Sequence, residues 1–376
     1  MKNIVAISLS VLFALLIVEV GLRAFDPLEL QPHASQEQAN VPLENSTFYF
    51  CEGGPNQLLP HPELYSREAP DQTYFEFLND IVSFIETNEH GFRGEFDPQG
   101  VDDRIVVLGD SFIRGTLADE TETIPALLSQ WSQDAHFVNL GTGGHGTLQH
   151  LLTYREFKDR IPHETVLLFV FIGNDLVDNI DFQAWQDDSG SDLHEPTVTQ
   201  RMKQMLVKLH IGKLLQRFSS SYLGRTEYPS RPTEVEKELF MNSLGELSQT
   251  AEDQGARLFV FTLPEVAEFF PQGRVSYRED SIGYGNATRG LLKEAAEDNG
   301  FTYLPLKPVL ESAAHELGVP TSELFGDPDH HMREIGNFAA ARAVAESLQD
   351  NGVGVFSPDA QFTDRTSFEP SNVECP

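Results

Sequence analysis

The sequence predicts an α/β domain built on a parallel β-sheet with helices on both faces. Three observations carry this. Short apolar runs alternate with segments of helical periodicity from about residue 104 to residue 349. The runs contain few polar residues, as expected of strands covered on both faces. Several of them end in Gly-, Asn- or Asp-containing turns, where a chain leaves a strand for the next helix.

The elements follow in order. RIVVLGD, Arg104 to Asp110, is a buried strand ending in a turn. IPALLSQWSQ, Ile124 to Gln133, suits a helix with Pro125 in its first turn. HFVNLG, His136 to Gly141, is a second strand, and residues 147–160 read as a helix. TVLLFVFIG, Thr165 to Gly173, is a third strand, almost wholly apolar. Thr233 and Glu236 form a capping-box pattern ahead of Leu239, Phe240, Leu244 and Leu247, and Gly255 stops that helix. ARLFVFTLP, Ala256 to Pro264, is a fourth strand; residues 286–299 are helical up to Gly300; FTYLPL, from Phe301, is a fifth strand. Residues 334–349 make a final amphipathic helix. This alternation implies parallel strands joined by helical crossovers.

Around this core the sequence divides further. Lys2 precedes the apolar run Ile4 to Val18, and no A-x-A site follows. Residues 1–25 are therefore expected to be an uncleaved membrane anchor or signal-anchor, the alternative being a buried core helix. Residues 26–87, rich in Pro, Gln, Asn and Glu, read as an irregular connector. The main domain is expected over 88–350, with a C-terminal tail over 351–376 and an inserted helical segment at about 176–232. Within the insertion, Thr199 to Phe218 carries Arg201, Lys203, Lys208, Lys213 and Arg217, no acidic residue, and an apolar helical face. It suits either anionic headgroups or a lid; the alternative is a helix paired with the acidic body.

Charge and cysteine content exclude some functions. The 376 residues include 26 Lys and Arg against 58 Asp and Glu, a net charge of −32, which disfavours nucleic acid as a partner. Only Cys51 and Cys375 occur, without a CxxC or Cys/His cluster, so a structural zinc site is not expected. In an oxidising compartment they allow one disulfide; in a reducing one, two thiols.

Open parallel sheets bind their substrates at the carboxyl ends of the strands. Strand one ends in Gly109-Asp110-Ser111-Phe112, strand two in Asn139-Leu140-Gly141-Thr142-Gly143-Gly144, and strand three in Gly173-Asn174-Asp175. Asp327-Pro328-Asp329-His330-His331 precedes the last helix. These supply the parts for acyl transfer: a serine nucleophile, an imidazole base, a carboxylate to orient it, and backbone N–H groups with an amide for the oxyanion. Asp110, beside the serine, reads as structural. The aspartates and histidines near residue 330 fit a metal site less well, since no further ligand cluster accompanies them.

With these residues in view, the sequence resembles the SGNH, or GDSL, hydrolase family over about residues 88–349. GDSF is similar to the first block of that family, NLGTGGHGTLQ to the second, GND to the third, and DPDHHMREIGNF to a D-x-H form of the last. The resemblance implies a flavodoxin-like three-layer α/β/α sandwich. It also implies catalytic Ser111, Asp329 and His331, an oxyanion hole from Ser111, Gly144 and Asn174, and no cofactor or metal. His331 is chosen over His330 because the family places a glycine five positions after the base, and Gly336 stands there. The alternative register pairs Asp327 with His330.

The GFRG before strand one and the apolar N-terminus are similar to those of membrane-anchored bacterial members, so an extracytoplasmic catalytic domain is expected, periplasmic or at the cell surface. The expected activity is hydrolysis of an ester on a small molecule or carbohydrate, O-acetyl groups on carbohydrate included. The alternatives are an O-acyltransferase acting on a cell-surface polysaccharide with the same triad, and a non-catalytic glycan-binding module.

Overall fold

The structure, a computed structural model, describes residues 46–52, 57–78, 81–96, 103–189, 231–269, 281–326, 331–354 and 356–357. The chain divides into two units, Met1–Gln38 with Ser191–Tyr228 and Ala39–Gly190 with Pro229–Pro376; every described residue belongs to the second. The expected anchor at 1–25 and the basic segment 199–218 lie outside the described residues. Among the described residues no helix is long and apolar enough to cross a membrane.

The described part of the stretch read as an irregular connector is instead largely strand. It contains β1 (Ser46–Glu52), β2 (Leu58–His61), β3 (Tyr65–Glu68), β4 (Thr73–Leu78) and β5 (Ile81–Glu86). β1, β4 and β5 form an antiparallel sheet in the order β1-β4-β5, and β2 and β3 form a hairpin. Apolar residues alternate here with Glu68, Gln72 and Glu76, which are themselves buried. A polarity count therefore reads the segment as loop. Cys51 in β1 is held in a disulfide, and Cys375 is the only other cysteine in the sequence.

The main sheet holds β6 (Asp103–Leu108), β7 (Ala135–Asn139), β8 (Thr165–Phe171), β9 (Arg257–Leu263) and β10 (Thr302–Pro305), in the order β10-β9-β8-β6-β7. Every neighbouring pair is parallel. Counted from β6, this is the 2-1-3-4-5 order of flavodoxin-like folds. The helices are α1 (Ser111–Arg114), α2 (Ile124–Trp131), α3 (Thr147–Phe157), α4 (Asp175–Ser189), α5 (Glu234–Asp253), α6 (Ser281–Asn299), α7 (Lys307–Leu317) and α8 (Glu334–Asp350).

Because successive strand residues face opposite sides, each strand feeds two cores. Ile105, Val107, Phe169 and Phe261 pack with Leu128 of α2, Leu310 of α7 and Val344 of α8. Val106, Leu108, Leu168 and Val260 pack with Tyr154 of α3, Phe240 of α5 and Leu292 of α6. This makes the three layers. The capping box expected at the start of α5 forms, with Thr233 Oγ1 accepting from Glu236 N–H and Glu236 Oε2 accepting from Thr233 N–H.

Candidate active site

β6 lies between β7 and β8, so the chain turns to opposite sides of it in successive crossovers. That is the switch point at which open sheets carry their ligands. α1 starts there. The Asp110 carboxylate accepts the Phe112 N–H at 3.0 Å, which caps the helix and places Ser111 at its first position. Gly115, at φ 90°, ends the helix after one turn.

His331 Nε2 lies 2.7 Å from Ser111 Oγ. The imidazole is 9% exposed and packs on Phe112 with ring centroids 5.0 Å apart. Its loop is closed at the base: Gly326 N–H donates to the His331 carbonyl at 2.9 Å, and Arg333 N–H to the Leu324 carbonyl at 3.0 Å. Gly336 lets the first turn of α8 lie against the Leu324 carbonyl, where a Cβ would clash. Asp329, and with it Asp327 and His330, lies outside the described residues.

The loops after β7 and β8 flank Ser111. Asn139 fastens the first to α1, its Nδ2 donating to the Ile113 carbonyl at 2.9 Å and its Oδ1 accepting from Gly141 N–H at 2.9 Å. A Cβ added to Gly143 would stand 3.8 Å from Ser111 Cβ. Gly144 follows, exposed and in the left-handed conformation at φ 73°. On the other side, the Asn174 carbonyl accepts from Val177 and Asp178 N–H, both at 2.8 Å, which starts α4. Its side-chain oxygen is buried without a protein partner. The structure thus joins Ser111 to His331 directly and sets Gly144 and Asn174 on the loops beside them.

No protein-family model and no curated protein matches the chain. Solved structures do. TesA is similar at 12% identity and TM-score 0.39, over 66% of this chain and 99% of its own. The acetyl xylan esterase AlAXEase is similar at 13% identity and TM-score 0.40, over 65% and 99%. A member of the lipolytic protein G-D-S-L family from Veillonella parvula is similar at 12% identity and TM-score 0.40, over 66% and 99%. The decisive features are in the chain itself: the strand order, the serine at the tip of β6, and the histidine that reaches it from the loop before α8. The fold is a flavodoxin-like three-layer α/β/α sandwich, with the serine and the histidine brought together at its switch point.

Two further carboxylates lie beside the Ser111 site in sequence, Asp110 before the serine and Asp175 after Asn174. Asp110 and Asp175 are both fully buried. Burial pushes the Asp110 carboxyl up to about 6, against the Phe112 N–H and the His331 charge, which favour its ionised form. Burial, and then the neighbouring Asp110 and Asp178 charges, hold Asp175 well above the usual carboxylate range. Asp110 is therefore a cap, as its sequence position predicts, and not an exposed acid.

The sequence reading missed two arginines that hold the Ser111 helix in place. Arg114, three residues after the serine, is 3% exposed. It donates from Nε to Glu68, from Nη1 to Glu76 at 2.9 Å, and from Nη2 to the Tyr74 hydroxyl at 2.8 Å. Arg93, the arginine of GFRG, donates to the carbonyls of Gly115 at 2.7 Å and Ala118 at 3.0 Å, and to Glu120 at 3.0 Å. Both tie the antiparallel strands to α1 and the turn after it, Arg93 also donating to the Phe84 carbonyl of β5. The available signal was an arginine inside each of two otherwise apolar or glycine-rich motifs.

Proposed function

We propose that the protein is a serine esterase of the SGNH type, acting through an acyl-enzyme on an ester such as an O-acetyl group on carbohydrate. The 2.7 Å contact between Ser111 Oγ and His331 Nε2 carries this reading. A serine hydroxyl attacks poorly until a base within hydrogen-bond reach takes its proton. His331 accepts that proton as Ser111 attacks the carbonyl, then returns it to the departing alcohol. Water, activated by the same imidazole, releases the acid. Asp329 is assigned the role of holding the imidazole tautomer. The N–H groups of Ser111 and Gly144 and the Asn174 amide are assigned to the oxyanion. The oxyanion hole needs donors that are fixed before reaction, and the cap at Asp110 and the Asn139 clasp supply that fixity.

We also propose that residues 1–25 anchor the protein to a membrane and that the catalytic domain is extracytoplasmic. The disulfide at Cys51 supports an oxidising compartment.

The test is labelling by a serine-directed phosphonate combined with an ester panel that includes acetylated polysaccharides. Labelling lost in Ser111→Ala, and turnover crippled by His331→Ala but much less by His330→Ala, is the expected result. No labelling of the wild type points instead to a non-catalytic module. Labelling with slow turnover in water, relieved by an added glycan, points to an acyltransferase.

A further inference from the structure

The hairpin β2–β3 ends in a residue that its local conformation disfavours. Tyr65 has φ 70°, a left-handed backbone that a bulky aromatic rarely adopts, yet it is 59% exposed. Strain kept on an exposed side chain is not explained by packing, and such strain gathers at ligand sites. The hairpin tip is held on both sides of Tyr65 by His145 and by the first turn of α3, which follow Gly144 in the chain. Gln149 Nε2 donates to the Leu64 carbonyl at 2.9 Å, and His145 Nε2 bonds the Ser66 carbonyl at 3.0 Å. Tyr65 is thus set on the segment that leaves the Gly143-Gly144 turn, whose Gly143 adjoins Ser111.

Its ring meets Trp185 of α4 edge-on, with centroids 5.5 Å apart. Trp185 is itself stacked on buried Phe182, at 5.6 Å and 20°. α4 is fixed to the same first turn of α3, since Asn179 Oδ1 accepts the Leu148 N–H at 2.8 Å and Asn179 Nδ2 donates to Thr147 Oγ1 at 2.7 Å. Exposed carboxylates neighbour the two rings in the chain: Glu63 two residues before Tyr65, and Asp181 one helical turn before Trp185.

We infer that Tyr65 and Trp185 form a binding subsite for a neutral sugar ring beside the catalytic serine. An aromatic face takes the C–H face of a pyranose, and carboxylates at its edge accept the sugar hydroxyls. A fatty chain requires apolar walls, which Glu63 and Asp181 do not provide, and an anionic ligand is repelled by them. The subsite deepens the esterase reading by naming the alcohol side of the substrate as carbohydrate, and it rests on that reading for its position beside Ser111.

The test uses binding and turnover separately. Trp131 and Trp185 are the only tryptophans in the sequence, and Trp131 is buried away from ligand, so a ligand-dependent change in fluorescence reports on Trp185. In Ser111→Ala protein, which cannot turn over, neutral tetrasaccharides (xylo-, cello- and mannotetraose) are titrated against that signal. At least one is expected to bind and shift the fluorescence, and Tyr65→Gly is expected to weaken binding at least tenfold. Glycine suits the left-handed backbone, so Tyr65→Gly removes the ring without destabilising the fold. In otherwise wild-type protein, Tyr65→Gly should lower kcat/KM on acetylated tetrasaccharides about tenfold and leave p-nitrophenyl acetate within twofold, while Tyr65→Phe retains both.

Two results overturn the subsite: no tetrasaccharide binding together with unchanged kcat/KM in Tyr65→Gly, or an effect of Tyr65→Gly confined to long-chain p-nitrophenyl esters. Loss of phosphonate labelling at Ser111 would instead refute the esterase reading, and is seen independently of sugar binding.

Discussion

Every residue of β8 is buried, and all seven are apolar or threonine. In β3 and β4, by contrast, the buried positions include Glu68, Tyr74 and Glu76, gathered around the single guanidinium of Arg114. The parallel sheet is stabilised by apolar area removed from water on both faces, a sum of many small local terms. The antiparallel strands are held by a few charges that tolerate burial only because each has its partner. The first kind of region loses stability in proportion to what is removed. The second fails when one member goes and recovers when all go. The serine stands where the two meet, on a helix that follows β6 and whose last residue, Arg114, belongs to the charge cluster.

The largest effect is expected at that junction. Ser111→Ala and His331→Ala should each reduce ester turnover by at least about a thousandfold, while urea denaturation midpoints stay at the wild-type value. A fall in the midpoint for Ser111→Ala would mean that the serine holds the fold as well as the chemistry.

Next comes the charge cluster against the apolar core. Arg114→Met leaves Glu68 and Glu76 buried without a counter-charge and should cost about 3–5 kcal/mol in urea unfolding. Adding Glu68→Leu and Glu76→Leu should restore much of that. Leu168→Ala in β8 should cost about 2–5 kcal/mol, and no second substitution of a charged residue should restore it. If the triple variant is no more stable than Arg114→Met alone, the contrast between the two regions is wrong.

The third effect is acid sensitivity. Burial pushes His145 down to about 4 and His150 down to about 3, from an ordinary 6.5. Both stay neutral in the folded protein while the unfolded chain takes up protons below pH 6.5. Their contribution is full above that pH and is lost as pH falls toward 4 and then 3. His150→Leu, which fills a similar space without a titrating group, should flatten the fall in Tm between pH 6.5 and 4.

The smallest effect has the opposite sign. Burial, and then the Glu334 charge, push Glu122 up to about 7. A raised carboxyl lowers stability as pH rises from the unfolded value of about 4.5 through 7, because only the unfolded chain ionises freely there. Glu122→Gln should raise Tm at pH 8 by roughly 2–4 °C, corresponding to about 1 kcal/mol once solvent screening is allowed for, and leave it unchanged at pH 4. Equal gains at both pH values would indicate a packing effect.

From residue 104 onward, the five parallel strands and most of their helices are readable in the sequence because each is a local pattern. A doubly covered strand is a run of apolar residues, and a helix shows itself by period and caps such as Thr233 and Glu236. α7 escaped because it follows β10 directly, with Pro308 in its first turn and no polar break between them. Ser111, Gly144 and Asn174 stood out for a related reason: each lies in a short Gly-, Asn- or Asp-containing turn that follows a parallel strand. The preference for His331 rested on spacing to Gly336, and the structure shows what that spacing does, since Gly336 lets α8 close on the Leu324 carbonyl beneath the histidine loop.

What only the tertiary structure decided is non-local. Glu68, Glu76 and Arg114 are 46 and 38 residues apart in sequence, and nothing in any of their neighbourhoods announces a buried pair. An ion pair is legible only when both partners are in view, whereas an apolar residue carries its preference for the interior by itself.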